Sequence, residues 1–267
     1  MHYLKLLVRK IFPRKLLRLI IDNYYERIGL KNEKAYKGYA VYCPCCNKRF
    51  SSFMDFPTTE INNENRYIDN YKNTICPYCG AMPRHRIVCF YLNENKPMIP
   101  QNNILMFGAE ISIRKWFERN GCNYRTADLF DRSSDFIIDI QNILFPNDSW
   151  DLIVCNHVLE HVPDYKVALK ELRRILNKTG ILEITVPTDR SLATVYEDTN
   201  IVTEKDRIKH FGQNDHLRIF GNDFEHILKE SGFLVEVIDV STLPIEICGV
   251  VGPADYDDNR VYICRKK

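Results

Sequence analysis

Residues 151–187 read DLIVCNHVLEHVPDYKVALKELRRILNKTGILEITVP, and this stretch decides the fold class. Leu152-Ile153-Val154-Cys155 is a short, continuous apolar run, the pattern of a strand buried on both faces. Asp164 has N-cap chemistry, and Tyr165, Ala168, Leu169, Leu172, Ile175 and Leu176 follow on one helical face. Asn177-Lys178-Thr179-Gly180 is expected to stop that helix, and residues 181–186 form a second β-rich run before Pro187. A strand, a helix and a strand in one sheet imply a parallel pair with a right-handed crossover. Periodicity alone leaves open that this is an arbitrary piece of α/β core.

The residues carry more than the pattern. Trp150-Asp151-Leu152-Ile153, Asn156-His157-Val158-Leu159-Glu160-His161-Val162, Leu172-Arg173-Arg174-Ile175-Leu176, Thr179-Gly180 and Val186-Pro187 closely resemble the central block of class I S-adenosylmethionine-dependent methyltransferases. The ubiquinone/menaquinone-type branch carries this pattern, and the resemblance covers residues 103–267. It implies an α/β, Rossmann-like sheet of seven strands with the last antiparallel, and S-adenosylmethionine as cofactor.

Upstream, Asn103-Ile104-Leu105-Met106-Phe107-Gly108-Ala109-Glu110 reads as a strand and a turn, with a helix expected over 111–119. In an open α/β sheet, ligands sit beyond the carboxyl ends of the strands, near a helix N-terminus. Asp128 lies twenty residues after Gly108 and ends the strand-like run 124–129, where an acidic group can accept both ribose hydroxyls. Its neighbour Leu129 is counted with it. Only Gly108 remains of the family's glycine-rich loop. That departure weighs against a dinucleotide, whose pyrophosphate needs close backbone approach, and leaves Glu110 as a candidate for the methionine end. Residues 135–151 resemble the family's adenine-side motif, which places Asp139 and Ile140 beside the adenine. Each Asp has a plain alternative as a turn-former. Asn156-His157 stands where exocyclic-amine methylases carry Asn-Pro-Pro-aromatic, so Asn156 joins the cofactor-side residues and an oxygen acceptor is expected.

Ahead of this domain lie Cys43-Pro44-Cys45-Cys46 and Cys76-Pro77-Tyr78-Cys79-Gly80. Two C-x-x-C knuckles supply the four thiolates of a structural zinc site, Cys43, Cys46, Cys76 and Cys79, with no open position for catalysis. The alternative is two unrelated turns. The spacer of 29 residues is long for a zinc ribbon, so the chain between the knuckles needs its own hairpin or loop. Cys45 is a spare. Gly80 and Asn47 suit left-handed turns. Pro83-Arg84-His85-Arg86 follows, to pack at an interface or to meet an anion.

The expected domains are a basic amphipathic helical arm over 1–42, a zinc-ribbon module over 43–96 and a methyltransferase domain over 97–267. Charge is divided unevenly among them. Residues 1–42 hold ten Lys/Arg against three Asp/Glu, 43–96 seven against five, and 97–267 twenty against twenty-seven. The catalytic part is therefore a poor phosphate-backbone binder, and nucleic acid is not the expected partner. In the arm, Pro13 separates a face of Leu4, Leu7, Val8 and Ile11 from one of Leu16, Leu17, Ile20, Ile21 and Tyr24. Two readings stand for residues 1–30: peripheral contact with a membrane surface, or a helix packed on its own domain. Hydrophobic content of 45% is enough for a real core, and no run of 18 apolar residues predicts a spanning helix. The first residues make a poor signal peptide. Cys155 and Cys264 fall as single thiols in core strands, so a reducing, cytoplasmic setting is expected.

After Pro187 a structureless segment of about thirty residues, of the kind that covers an active site, is expected before a helix over 223–231. It contains His216 and Arg218. His216 is the first candidate base, approaching from the acceptor side, with Arg218 holding an acceptor carboxylate or phosphate. His157, at the end of the central strand, is the second. His161 is assigned to packing. The whole chain resembles bacterial proteins that join a basic arm, a zinc ribbon and a methyltransferase domain, a resemblance that implies a sugar or other small acceptor. The rivals are an RNA methyltransferase and a binding module without catalysis. Oligomeric state is open.

Overall fold

The computed structural model describes residues 13–55, 72–242 and 260–267. The arm face of Leu4, Leu7, Val8 and Ile11, most of the inter-knuckle loop and residues 243–259 lie outside them.

Helix α1 (Arg14–Ala35) leads into an antiparallel hairpin of β1 (Lys37–Cys43) and β2 (Lys48–Phe50), and α2 (Pro83–Glu94) follows the second knuckle. The rest is built on β3 (Ile104–Phe107), α3 (Ile111–Arg119), β4 (Tyr124–Asp128), β5 (Phe136–Ile137), β6 (Trp150–Asn156), α4 (Tyr165–Ile175) and β7 (Leu176–Thr185). A cap of β8 (Tyr196–Glu197), α5 (Glu204–Phe211) and β9 (Arg218–Ile219) comes next, then α6 (Phe224–Glu230), β10 (Phe233–Asp239) and β11 (Arg260–Lys266).

Seven strands form one sheet in the order β10-β11-β7-β6-β3-β4-β5. Pairs β6/β7, β3/β6, β3/β4 and β4/β5 are parallel, and the final strand β11 runs antiparallel to both its neighbours. This is the expected Rossmann-like sheet with the last strand reversed. The order reverses between β3 and β6, and a ligand cleft belongs at their carboxyl ends.

The β6–α4–β7 crossover forms as its pattern requires. The Asp164 carboxylate accepts from the Lys166 and Val167 amides at 3.0 Å, which caps α4. Its exit differs from expectation, because Asn177–Gly180 belongs to β7 instead of a loop. Pairing passes from Trp150↔Leu176 to Leu152↔Ile181, so the extra residues form a bulge. Asn177 Nδ2 pins that bulge to Asp151 Oδ1 at 2.8 Å.

Both faces of the sheet are covered. On one, Leu105, Ile153, Cys155 and Leu182 pack against α4 and α6. On the other, Ile104, Met106, Val154 and Ile181 meet α2 and α3, and the same cluster runs on into Cys43, Cys45, Phe50 and Cys76. The cysteine module thus shares a core with the sheet. Arg119 of α3 donates to the carbonyls of Pro44 (3.2 Å) and Cys45, completing the join.

Helix α1 docks on its own protein. Leu17 and Gly29 are buried, and a Cβ on Gly29 would lie 2.2 Å from the Tyr78 carbonyl, so only glycine admits the knuckle this close. Asp22 takes a two-pronged bond from Arg114 (2.5 and 3.2 Å). Leu16, Ile20 and Tyr24 face outward together with Arg27 and Lys31. Among the described residues no helix is long and apolar enough to cross a membrane.

The segment after β7 is more ordered than expected. Thr203 caps α5 by accepting from the Asp206 amide (3.1 Å), and Gly212 ends it at φ 84°. These signals were in the sequence, but a single eight-residue helix gives little periodicity to read.

An acidic side chain lies buried inside the sheet. Burial pushes the Glu183 carboxyl up to about 8, against the opposing effect of a hydrogen bond from Asn156 Nδ2 at 3.1 Å. The raised value means the folded state favours the protonated acid. Its contribution is intact below pH 4.5, the ordinary value, and is lost as pH rises to about 8. Glu183→Gln should remove that slope. Denaturant melts should show the variant gaining several kcal/mol over the parent at pH 9 and little at pH 4.5, since a tenfold change in proton affinity is worth about 1.4 kcal/mol. Equal slopes in both proteins would refute the assignment.

Candidate functional site

A cleft of about 520 Å³ opens at the carboxyl ends of β3, β4 and β6. Its floor is set by Gly108, which turns the chain out of β3 at φ 58°. A Cβ there would sit 3.0 Å from Val158 Cγ2, so a larger residue would both strain the turn and crowd the cleft. Asp128, Leu129, Asp139 and Ile140 all line this end. Both aspartates are turn-formers as well as cleft residues. Oδ1 of Asp128 accepts from the Phe130 and Asp131 amides, each at 2.7 Å. Oδ1 of Asp139 accepts from the Gln141 amide at 2.8 Å and its Nε2 at 3.3 Å. The turns hold the two carboxylates at the strand ends, so both aspartates are turn-formers that also line the cleft.

The opposite wall is made by His157, His161 and Val162, with Arg207, Asp215 and Leu217 from the cap. His157 ends β6 in a left-handed turn, φ 51°, with its amide on the Thr185 carbonyl at 3.0 Å. Its Nδ1 lies 3.3 Å from Oε1 of Glu160, which is entirely buried. Burial opposes the charge on Glu160, but His157, His161 and His216 around it prevail and hold its carboxyl below the usual range. His216 is buried behind His161, rings 4.8 Å apart, and its Nδ1–H donates to the Phe211 carbonyl at 3.0 Å. Burial, against the pull of Glu160, lowers the His216 pKa.

Several expectations need correction. Arg218 does not line the cleft. It is 4% exposed, pairs through Nε with Glu197 (2.8 Å) and donates to the carbonyls of Leu159 (2.9 Å), Val162 (2.5 Å) and Pro163 (3.0 Å). With those bonds made it anchors the cap, because a buried guanidinium must satisfy its donors. His216 does not line the cleft, and His161, assigned to packing, does. The Asn156 side chain turns away, donating to Glu183 and accepting from Thr185 Oγ1 at 2.8 Å. Glu110 also turns from the cleft. Its Oε1 meets His85 Nε2 at 2.5 Å and Arg84 at 3.4 Å. Burial opposes ionisation there, yet His85 and Arg84 bring the carboxyl down to about 2. The Pro83–Arg86 segment is thus an interface, with Arg86 donating to the carbonyls of Thr74 and Ala81. What sequence reasoning missed was Glu160. Its signal, a carboxylate within three residues of two histidines, was legible, but helical spacing said nothing about its burial.

The four knuckle sulfurs converge. Cys43 Sγ lies 3.7 Å from Cys79 Sγ, and Cys46 Sγ 3.7 Å from Cys76 Sγ. All four are within 4.8 Å of one another, and every described cysteine is a free thiol. Asn47 (φ 58°) and Gly80 (φ 70°) take the left-handed turns expected after each knuckle. Cys45 stands apart, bonded to the His85 carbonyl at 3.3 Å.

Comparison with known proteins bears on the sheet and its cleft. Residues 105–237 match the family model Methyltransf_23, described as a methyltransferase domain. A search of curated proteins found no match. Similar solved structures include the CurJ carbon methyltransferase, at 16% identity and TM-score 0.46, covering 68% of this chain and 54% of that one. This chain therefore spans about half the length of that protein. An S-adenosylmethionine-dependent methyltransferase from Archaeoglobus fulgidus matches at 14% identity and TM-score 0.46, covering 68% of this chain and 94% of that one. The Burkholderia thailandensis 1,6-didemethyltoxoflavin-N1-methyltransferase matches at 15% and 0.44, over 69% of this chain and 77% of the other. With the family match lying on the strands and turns that build the cleft, this chain carries a class I S-adenosylmethionine-dependent methyltransferase domain.

Proposed function

We propose that the protein O-methylates a small, polar, carbohydrate-like acceptor. The observation that carries this reading is the division of the cleft: two aspartates at the strand ends on one side, imidazoles and the polar cap residues Arg207 and Asp215 on the other. The first side suits a ribose and an adenine, with Asp128 accepting from the ribose hydroxyls, Asp139 beside the exocyclic amine, and Gly108, Leu129 and Ile140 supplying apolar surface. S-adenosylmethionine supplies an electrophilic methyl group there. The chain itself must align an acceptor hydroxyl and take up its proton.

His157 is assigned that proton. It lines the cleft, and the buried Glu160 carboxylate at 3.3 Å orients its ring and stabilises the imidazolium once formed. His216, buried and occupied at Nδ1, takes a supporting place. The excess of acidic over basic residues across 97–267 disfavours RNA as acceptor. Incubation with labelled S-adenosylmethionine and a panel of nucleotide sugars should yield a methylated sugar. Labelling of RNA with no labelling of any sugar would overturn the acceptor class.

Asp128→Ala should bind S-adenosylmethionine ten- to a hundredfold more weakly, the loss of about 1.5–3 kcal/mol for a charge-assisted contact. Calorimetry giving parental affinity would move the ribose contact elsewhere.

We propose too that Cys43, Cys46, Cys76 and Cys79 hold one structural Zn²⁺. Sulfur separations of 3.7 Å match the edge of a tetrahedron, which is about 3.8 Å for zinc–sulfur bonds of about 2.3 Å. After dialysis against a chelator, metal analysis should still find one zinc per chain, and Cys79→Ser should lose it. A metal-free, folded parent would count against the site.

A further inference from the structure

We infer a second metal site, for a divalent transition ion, formed by Glu160, His161 and His216 beside the cleft. One carboxylate oxygen and one nitrogen from each ring lie within 4.8 Å of one another. Glu160 is 0% exposed, yet among the described residues neither of its carboxylate oxygens finds a hydrogen-bond donor. Such a carboxylate is costly unless a cation compensates it. The nearest nitrogens, His157 Nδ1 at 3.3 Å and His161 Nε2 at 3.9 Å, stand at ion-pair distance.

Both imidazoles present the nitrogen that an ion requires. His216 donates Nδ1–H to the Phe211 carbonyl at 3.0 Å, which leaves Nε2 as its ligand atom. Nδ1 of His161 lies 3.4 Å from both the carbonyl and the carboxylate of Asp215, which directs Nε2 toward Glu160. A carbonyl or carboxylate on the far ring nitrogen is what orients metal-bound histidines. Two imidazoles and a carboxylate suit zinc, manganese or iron(II) better than magnesium or calcium. The 3.9 Å between His161 Nε2 and Glu160 Oε1 is somewhat longer than the edge of about 3.3–3.6 Å set by tetrahedral bonds of about 2.0–2.2 Å, so binding draws the two together. His161, 34% exposed, has room to move.

Three protein ligands leave a coordination position vacant, and His161 lines the cleft, so an acceptor oxygen can occupy it. A hydroxyl on a divalent ion is more acidic, which would ease its deprotonation by His157. That last role rests on the O-methylation reading. The metal site does not.

The test uses the full chain with its cysteine site already loaded, titrated calorimetrically with Zn²⁺, and with Co²⁺ followed by visible absorption. One further equivalent should bind, and the Co²⁺ bands should be those of nitrogen and oxygen ligands. His161→Ala and Glu160→Gln should each weaken it at least tenfold and leave the cysteine-bound equivalent in place. Glu160→Gln keeps the side-chain volume and serves if His161→Ala disturbs the fold. No further equivalent in the parent, or an equivalent that both variants retain, would overturn the site. Because no acceptor is present, a wrong acceptor assignment leaves this result untouched.

Discussion

The end of β6 is the constraint on which the rest of the active region depends. The strand is buried on both faces as far as Asn156, and the chain must then leave the sheet without leaving polar groups unsatisfied. It does so through the left-handed turn at His157, whose amide is held by the Thr185 carbonyl of the neighbouring strand. That single bond fixes His157 at the cleft and sends the following turn, with Glu160 and His161, back beneath the cap. The Glu160 carbonyl then accepts from the Leu217 amide at 2.8 Å, so one short turn registers the cap against the sheet.

Arg218 makes that registration firm. It gathers three carbonyls from the turn and one carboxylate from β8, so cap and sheet share a buried charge that neither can satisfy alone. Removing such a group strands its partners and is typically far more costly than the pair is worth. The same logic recurs at the other wall. Glu110 follows the Gly108 turn but is claimed by His85 and Arg84, so the cysteine module is tied to the first turn after β3. With Gly29 allowing α1 to lie directly on the second knuckle, the arm, the module and the sheet form one continuous packing unit on that face.

Two buried carboxylates, one on β7 and one just past the end of β6, show how environment separates like groups. Glu183 has one amide donor and an apolar surround, and burial keeps it protonated up to about pH 8. Glu160, equally buried, has three imidazoles about it and stays ionised. Desolvation acts on both; whether imidazoles or a single amide face the carboxyl decides the outcome.

How much of this the sequence determined follows from the range over which each signal acts. Local periodicity fixed the β6–α4–β7 crossover, with the Asp164 cap in place. Paired spacing fixed the cysteine cluster, because two C-x-x-C turns can converge in few ways, and Asn47 and Gly80 marked their turns. Asp128 was expected from its place at a strand end and Asp139 from the family resemblance, and both line the cleft, where backbone direction puts them. Side-chain direction after a turn was not legible. Asn156, Glu110 and Arg218 were each expected at the ligand, yet each turns to a partner 25 or more residues away. His161 and His216 exchanged places for the same reason. Buried polar groups go where their hydrogen bonds can be met, and those partners come together only once the sheet, the cap and the cysteine module have packed.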